Sequence, residues 1–135
     1  MIDWRQIDPS LLEPQFREDV EQLLSPSPFG WAVTFGFRSL AEQATLWDKY
    51  QAGGPRAAPP GKSAHNFGLA VDVVLDADPE TGGLQPSWDT KHPGWVWLFN
   101  AVAAHPRLKS GQSFGDGGHI ERYHWQEHAA WMGRA

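Results

Sequence analysis

The stretch SAHNFGLAVD, residues 63–72, places a histidine and an aspartate seven positions apart, and the rest of the chain is predicted to be organised around it. His65 lies in a loop that follows a run of Pro and Gly. Asp72 lies within residues 69–75, the segment with the strongest strand character because Val and Leu dominate it. An unpaired carboxylate is costly to bury, so Asp72 should face solvent, pair with a cation or bind a metal. The stretch is therefore predicted to supply two side chains, His65 and Asp72, of a metal site.

A second pair of metal-binding residue types, Glu121 and His124, lies about fifty residues further along the chain. Together, His65, Asp72 and His124 make a three-ligand set for zinc. Three protein ligands leave a fourth position open, which distinguishes catalytic from structural zinc sites. Glu121 is the predicted acid and base, because amide hydrolysis needs one group to take a proton from water and return it to the leaving amine.

Each of these residues also has a simpler explanation when it is taken alone. A single histidine is more often a surface or hydrogen-bonded polar residue than a ligand, and His92, His105 and His128 are left in that class. The small residues Gly68 and Ala70 are explained equally well by turn geometry and tight packing as by a close approach to the site. The prediction rests on the combination of residues.

Composition limits the classes of function. A chain of 135 residues is expected to form one domain, 1–135, and it contains no Cys, which excludes disulfides and thiolate metal sites. The net charge of −5 is scattered and there is no basic patch, so nucleic acid is not an expected partner. No apolar run approaches the length of a membrane span and the N-terminus lacks a signal peptide. We therefore expect a monomer that is made in the cytoplasm and does not insert stably into a membrane.

The order of elements predicts an α+β fold, a small antiparallel sheet with helices on its outer side and the metal cleft on its open face. The predicted helices cover residues 9–24, 39–52 (started by a capping box of Ser39 and Glu42), 94–105 and 127–132, and the predicted strands cover 31–35, 69–75 and 123–126. Two long loops, residues 53–62 and 76–93, are expected to wall the cleft, with Phe67, Trp88 and Trp125 nearby.

The motif S-x-H-x-x-G-x-A-x-D over residues 63–72, together with E-x-x-H over residues 121–124, resembles the signature of a family of zinc peptidases. This family includes D-Ala-D-Ala dipeptidases, D-Ala-D-Ala carboxypeptidases and phage L-alanyl-D-glutamate endolysins. The segment around Gly36-Phe-Arg-Ser39 is similar to the family's segment before the metal motif. The resemblance extends over roughly residues 10–128.

The resemblance implies zinc on His65, Asp72 and His124, with Glu121 as general base and acid. It also implies that Arg38 binds the substrate carbonyl, where a fixed guanidinium would stabilise the negative charge that grows on the oxygen. A structural ion pair is the alternative role for Arg38.

Two further residues are assigned from the same motifs. Ser63 and His119 are predicted substrate-binding residues. For His119, the roles of hydrogen-bond partner to a metal ligand and of replacement ligand stay open.

The variant of the motifs found here is most similar to the endolysin branch. It implies hydrolysis of the L-Ala–D-Glu bond of the peptidoglycan stem peptide by a phage or prophage lysis enzyme that reaches the wall through a separate membrane pore. Glu at position 121 is what the dipeptidase branch uses, so a D-Ala-D-Ala carboxypeptidase or dipeptidase is the alternative. A non-catalytic zinc-binding or wall-binding module is the alternative from another class.

Overall fold

A computed structural model describes residues 2–5 and 7–133 of the chain. Met1, Gln6, Arg134 and Ala135, which the predicted domain 1–135 includes, lie outside the described residues. The predicted α+β class is confirmed. The strands are β1 Ile2–Asp3, β2 Gly30–Phe35, β3 Ala70–Asp76, β4 Pro86–Ser87, β5 Leu108–Gly111 and β6 Asp116–Arg122, and the helices are α1 Pro14–Leu24, α2 Leu40–Gln51, α3 Pro93–Ala104 and α4 Trp125–Trp131.

The sheet is built around β3. Its strand order is β1-β2-β3-β6-β5, and β4 pairs with β3 outside this path. The described pairs are antiparallel except for β1 and β2, which run parallel. Apart from its two aspartates, every residue of β3 is buried, which explains why this segment carries the strongest strand character in the sequence. Asp72 is therefore a polar residue in the middle of the most apolar strand.

The helices begin where local capping chemistry allows them to. The capping box at the start of α2 is present, with Ser39 and Glu42 each bonding the other's backbone N–H.

The first predicted helix was placed too early. Pro9–Leu11 forms a separate 3₁₀ turn, and α1 starts at Pro14 because the Glu13 carboxylate accepts from the N–H groups of the first turn.

The last strand is also displaced from its predicted position. Residues 123–126 were expected to pair with β3, but the pairing strand is β6, Asp116–Arg122. His124 has a left-handed backbone, with φ of 56°, which ends the extended segment and starts α4. Trp125 turns into the core, where it is 8% exposed and stacks on Phe67. None of the helices among the described residues is long and apolar enough to cross a membrane.

A partly buried ion pair joins α1 to the segment before β5. Asp19 is fully buried and accepts two hydrogen bonds from the Arg107 guanidinium, at 2.7 and 2.9 Å, and one from Gln15. Burial alone would raise the pKa of Asp19, but the hydrogen bonds from Arg107 and Gln15 outweigh it and hold the pKa below its usual value.

We expect Asp19→Asn to lower the free energy of unfolding at pH 7 by about 1–2 kcal/mol, because the charge-assisted hydrogen bonds from Arg107 are weakened while its guanidinium stays partly solvated. Since the folded-state pKa of Asp19 is depressed, its contribution is complete above the unfolded value and is lost as the pH falls through the folded value. The stability gap between wild type and variant should therefore close in acid. Urea unfolding at pH 7 and below pH 3 measures this, with Gln22→Ala on the exposed side of α1 as control. A gap that does not depend on pH would contradict the assignment.

Candidate metal centre and cleft

Two histidines and one aspartate come together at the middle of the sheet. Among the described residues, His65, Asp72 and His119 form a group whose ligand atoms all lie within 4.8 Å of one another. The distance from His65 Nε2 to Asp72 Oδ1 is 3.4 Å, and that from His119 Nδ1 to the same oxygen is 3.1 Å. Both imidazoles are buried and the carboxylate is half-buried.

The local sequence explains the position of His65. Ser63 caps the 3₁₀ turn Ala64–Phe67 by accepting from the His65 N–H, and Gly68 ends the turn with φ of 69°. A side chain at Gly68 would meet backbone atoms of residues 11–13 within 3.2 Å, so this position requires glycine for both its conformation and its close approach. The His65 Nδ1–H donates to the Gly36 carbonyl at 2.8 Å. This bond leaves Nε2 free to face Asp72.

Strand register explains the position of His119. Asp72 on β3 lies directly opposite His119 on β6, so their side chains share one face of the sheet. Two residues further along β6, Glu121 lies on the same face, and its Oε1 is 2.7 Å from His119 Nε2. His119 is therefore held between two carboxylates.

The charges in this group reinforce one another. Burial alone would raise the pKa of Asp72, but hydrogen bonds from His119 and His65 outweigh it and hold the pKa well below its usual range. Burial alone would lower the pKa of His119, but the bonds to Asp72 and Glu121 raise it to about 9. Without a metal His119 is thus cationic at neutral pH, and a metal that binds there must displace its proton.

The donor set fits zinc. Ligand atoms about 2.0–2.1 Å from a tetrahedral ion lie about 3.3 Å from one another, which is close to the two measured separations. The second nitrogen of each imidazole bonds an acceptor, Gly36 O or Glu121 Oε1, as is usual for metal-binding histidines. A metal that binds this group must also displace the His119 proton.

His124, which the sequence predicts as the third ligand, is not part of this group. It lies two residues beyond β6 at the N-terminus of α4, its side chain is exposed, and its ring packs against Tyr123 at 4.1 Å. His119 occupies the place beside His65 and Asp72 because β6 pairs with β3 earlier along the chain than predicted. His124 as the third ligand stays a prediction, and so do the roles left open for His119, which bonds both Asp72 and Glu121 here.

A cleft of about 1000 Å³ opens over His65, Asp72 and His119. One wall is α2 together with residues 55–59, and it carries Arg38 and Ser63 as well. Residues 114–116 form the other wall. The loop 53–62 therefore lines the cleft as predicted, whereas residues 76–93 do not; they form a 3₁₀ turn and β4 beside the far end of β3.

The aromatic residues of the cleft differ from those expected. Phe67 and Trp125 are buried against each other, and Trp88 stacks on Trp95 instead of lining the cleft. The aromatic side chains that do line it are Trp47, Tyr50 and Phe114.

Asp116 is a cleft residue that sequence reasoning missed. It lies at the start of β6, and reduced hydration in the cleft and repulsion by the Asp72 carboxylate raise its pKa. Its position in a Gly-rich segment gave no sign of this, because only the β3–β6 pairing brings it to the metal group. Asp116 is a second carboxylate, besides Glu121, that could exchange a proton at this site.

The comparison with sequence families identifies the class of protein. The family described as VanY, D-alanyl-D-alanine carboxypeptidase, matches residues 12–128. The chain belongs to this family, and the prediction of a peptidoglycan-hydrolysing metallopeptidase is thereby confirmed. No curated protein sequence matches the chain.

Solved structures share the fold. The L-Ala D-Glu endopeptidase ChiX of Serratia marcescens is 22% identical, with 89% of this chain and 86% of that chain covered and a TM-score of 0.61. The LD-carboxypeptidase LdcB is 17% identical over 90% of this chain, with a TM-score of 0.64, and this chain spans 64% of its length. The D,D-pentapeptidase VanY from the VanB-type resistance cassette, solved in complex with Zn(II), is 18% identical, with 93% and 88% covered and a TM-score of 0.51.

Proposed function

We propose that the chain is a zinc peptidase that cleaves the stem peptide of peptidoglycan between L-Ala and D-Glu, with the metal held by His65, Asp72 and His119. The observation that carries the proposal is the His-Asp-His group beneath a cleft of about 1000 Å³ in a VanY-family chain. A cleft at the upper end of the range for small-ligand sites suits a segment of polymer better than a free dipeptide. The proposed biological role is lysis of the wall as a phage or prophage endolysin.

The residues around the cleft divide the chemistry between them. Zinc would supply a Lewis acid that polarises the scissile carbonyl and makes a water molecule more acidic. Arg38, whose guanidinium lies in the cleft wall, would bind the carbonyl oxygen as negative charge grows on it. Glu121 would take the proton from the attacking water and pass it to the leaving amine, and its Oε1 lies 2.7 Å from His119 Nε2. Ser63 would contact the substrate backbone from the same wall as Arg38.

A D-Ala-D-Ala carboxypeptidase is the second candidate, and two observations favour it. The family match carries that description. The cleft also contains three cationic side chains, Arg38, Lys49 and Arg56, which suit a terminal carboxylate. The endopeptidase and the carboxypeptidase release different products, so one digest distinguishes them.

We expect a digest of purified peptidoglycan to create new amino termini on D-Glu and to leave L-Ala attached to the sugar chain. Mass spectrometry with end-group labelling identifies both. His65→Ala protein, purified in parallel, controls for contaminating hydrolases and should give no product. Release of free D-Ala would instead establish the carboxypeptidase, and absence of turnover on any wall peptide would support the non-catalytic module.

A further inference from the structure

Helix α2 forms one wall of the cleft, yet its one buried residue is a polar one. Gln43 is 1% exposed, whereas the other residues of α2 are half-buried or exposed. A helix is normally held by an apolar stripe, and a buried amide is costly unless its donors and acceptor are bonded. The contacts of Gln43 therefore decide how this wall is attached.

The two ends of the Gln43 amide reach different parts of the cleft. Its Oε1 accepts from Arg38 Nη1 at 3.1 Å and from Asn66 Nδ2 at 3.4 Å. Its Nε2 donates to the Ala58 carbonyl at 2.7 Å, within the loop 53–62. One side chain thus joins the guanidinium, the cleft loop and the turn that carries His65.

Asn66 closes the same network from the other side. It is the neighbour of His65 and is 8% exposed. Its Nδ2 donates to the Arg38 carbonyl at 3.0 Å and its Oδ1 accepts from the Gly61 N–H at 3.1 Å. The backbone N–H of Arg38 in turn donates to the His65 carbonyl at 3.0 Å. Arg38 is therefore fixed at its backbone by the metal turn, and its side-chain partner in the network is Gln43.

We propose that Gln43 is the positioning residue of the cleft: its amide aims the Arg38 guanidinium and holds residues 55–59 in place as the substrate-binding wall. Gln43 lines the cleft but is 1% exposed and each end of its amide is bonded within the protein, so its effect should pass through Arg38 and the loop. The kinetic part of this inference rests on the proposed function, while the part that concerns the loop does not.

Two substitutions separate the two ends of the amide. Gln43→Met keeps the length of the side chain and removes every hydrogen bond. We expect kcat/KM on wall peptide to fall about 10–100-fold, the usual effect of losing an orienting partner, while zinc content stays at the wild-type level. Gln43→Glu keeps an oxygen for Arg38 and replaces the donor to Ala58 with a second oxygen, so it should retain more activity than Gln43→Met.

A measurement without substrate reports on the loop. Trypsin can cleave after Arg56, which lies in the segment that Gln43 holds through Ala58. We expect both Gln43 variants to be cut at this bond at least several-fold faster than wild type under native conditions, as followed by mass spectrometry. Val102→Ala, a buried substitution in α3 away from the cleft, controls for general destabilisation and should change neither rate nor turnover.

A double-mutant cycle tests whether Gln43 acts through Arg38. In an Arg38→Ala background, Gln43→Met should cost little further activity, because the group that it aims is already absent. A full additional loss there, or Gln43 variants that match Val102→Ala in both turnover and proteolysis, would overturn the proposal. An inactive wild type would be a failure of the proposed function, and the rate of cleavage after Arg56 would then decide the inference alone.

Discussion

His119→Ala protein is expected to bind zinc more than about 100-fold more weakly than wild type and to lose peptidase activity with it. His119 Nδ1 is one of three donor atoms in the group, and its loss leaves two protein ligands where a catalytic zinc site uses three. Loss of a residue that merely orients a ligand costs about 10–100-fold, so removal of a ligand should exceed that range. Elemental analysis and competition with a chelating dye measure the affinity directly.

The matched control is a substitution at His124, the ligand predicted from the motif. Because His124 has φ of 56°, His124→Asn is the suitable variant, since Asn tolerates the left-handed conformation better than Ala. We expect this variant to keep zinc near the wild-type level. Loss of zinc in His124→Asn with retention in His119→Ala would restore the ligand set predicted from the sequence and reject the geometry described for β6.

Glu121→Gln should retain zinc and lose turnover by about 10²–10⁴-fold. The Gln side chain keeps an oxygen that can accept from the His119 Nε2–H, so the imidazole stays oriented, but the amide cannot take a proton from water. A steady-state assay on a soluble stem peptide, together with zinc analysis, separates the two roles. If Glu121 only orients His119, turnover will follow zinc content and the loss at saturating zinc will be small.

Asp116→Asn is the comparison for Glu121→Gln, because the Asp116 carboxylate lines the cleft and its pKa is raised. With Glu121 as base, the Asp116 variant should lose less than about tenfold in turnover. A large loss in Asp116→Asn beside near-normal activity in Glu121→Gln would transfer the role of base to Asp116.

Much of the fold could be predicted because local chemistry decides it. The apolar run around Asp72, the capping box at Ser39 and the helix before His105 each follow from residues within one or two turns. The first helix was placed five residues too early, at Pro9 instead of Pro14, because Glu13 is an unusual cap and Pro9 also suits a helix start. This error lies at a helix boundary, which local sequence defines least well.

The site was harder to predict than the fold because pairing register is a tertiary property. The approach of His65 to Asp72 follows from a turn and a strand that are adjacent in sequence, whereas the third residue comes from β6, whose register the sequence does not reveal. Whether His119 or His124 lies opposite Asp72 depends on this register, and the five-residue shift between them would also turn Ile120 and the other side chains of the strand to the opposite face. For the same reason Asp116 was missed, and Phe67 and Trp125, which stack in the core, were expected near the cleft.

The donor atoms lie on two segments that are far apart in the chain, since 47 positions separate Asp72 from His119. In the unfolded chain these atoms have no common position, so an ion that needs all three binds the folded state almost exclusively. Such an ion would join the two segments as well as take part in the reaction. By mass action, its binding free energy would add to the free energy of folding. The proton on His119 competes for the same place. The metal concentration and the pH therefore together affect the stability of the folded state, and not only the rate of hydrolysis.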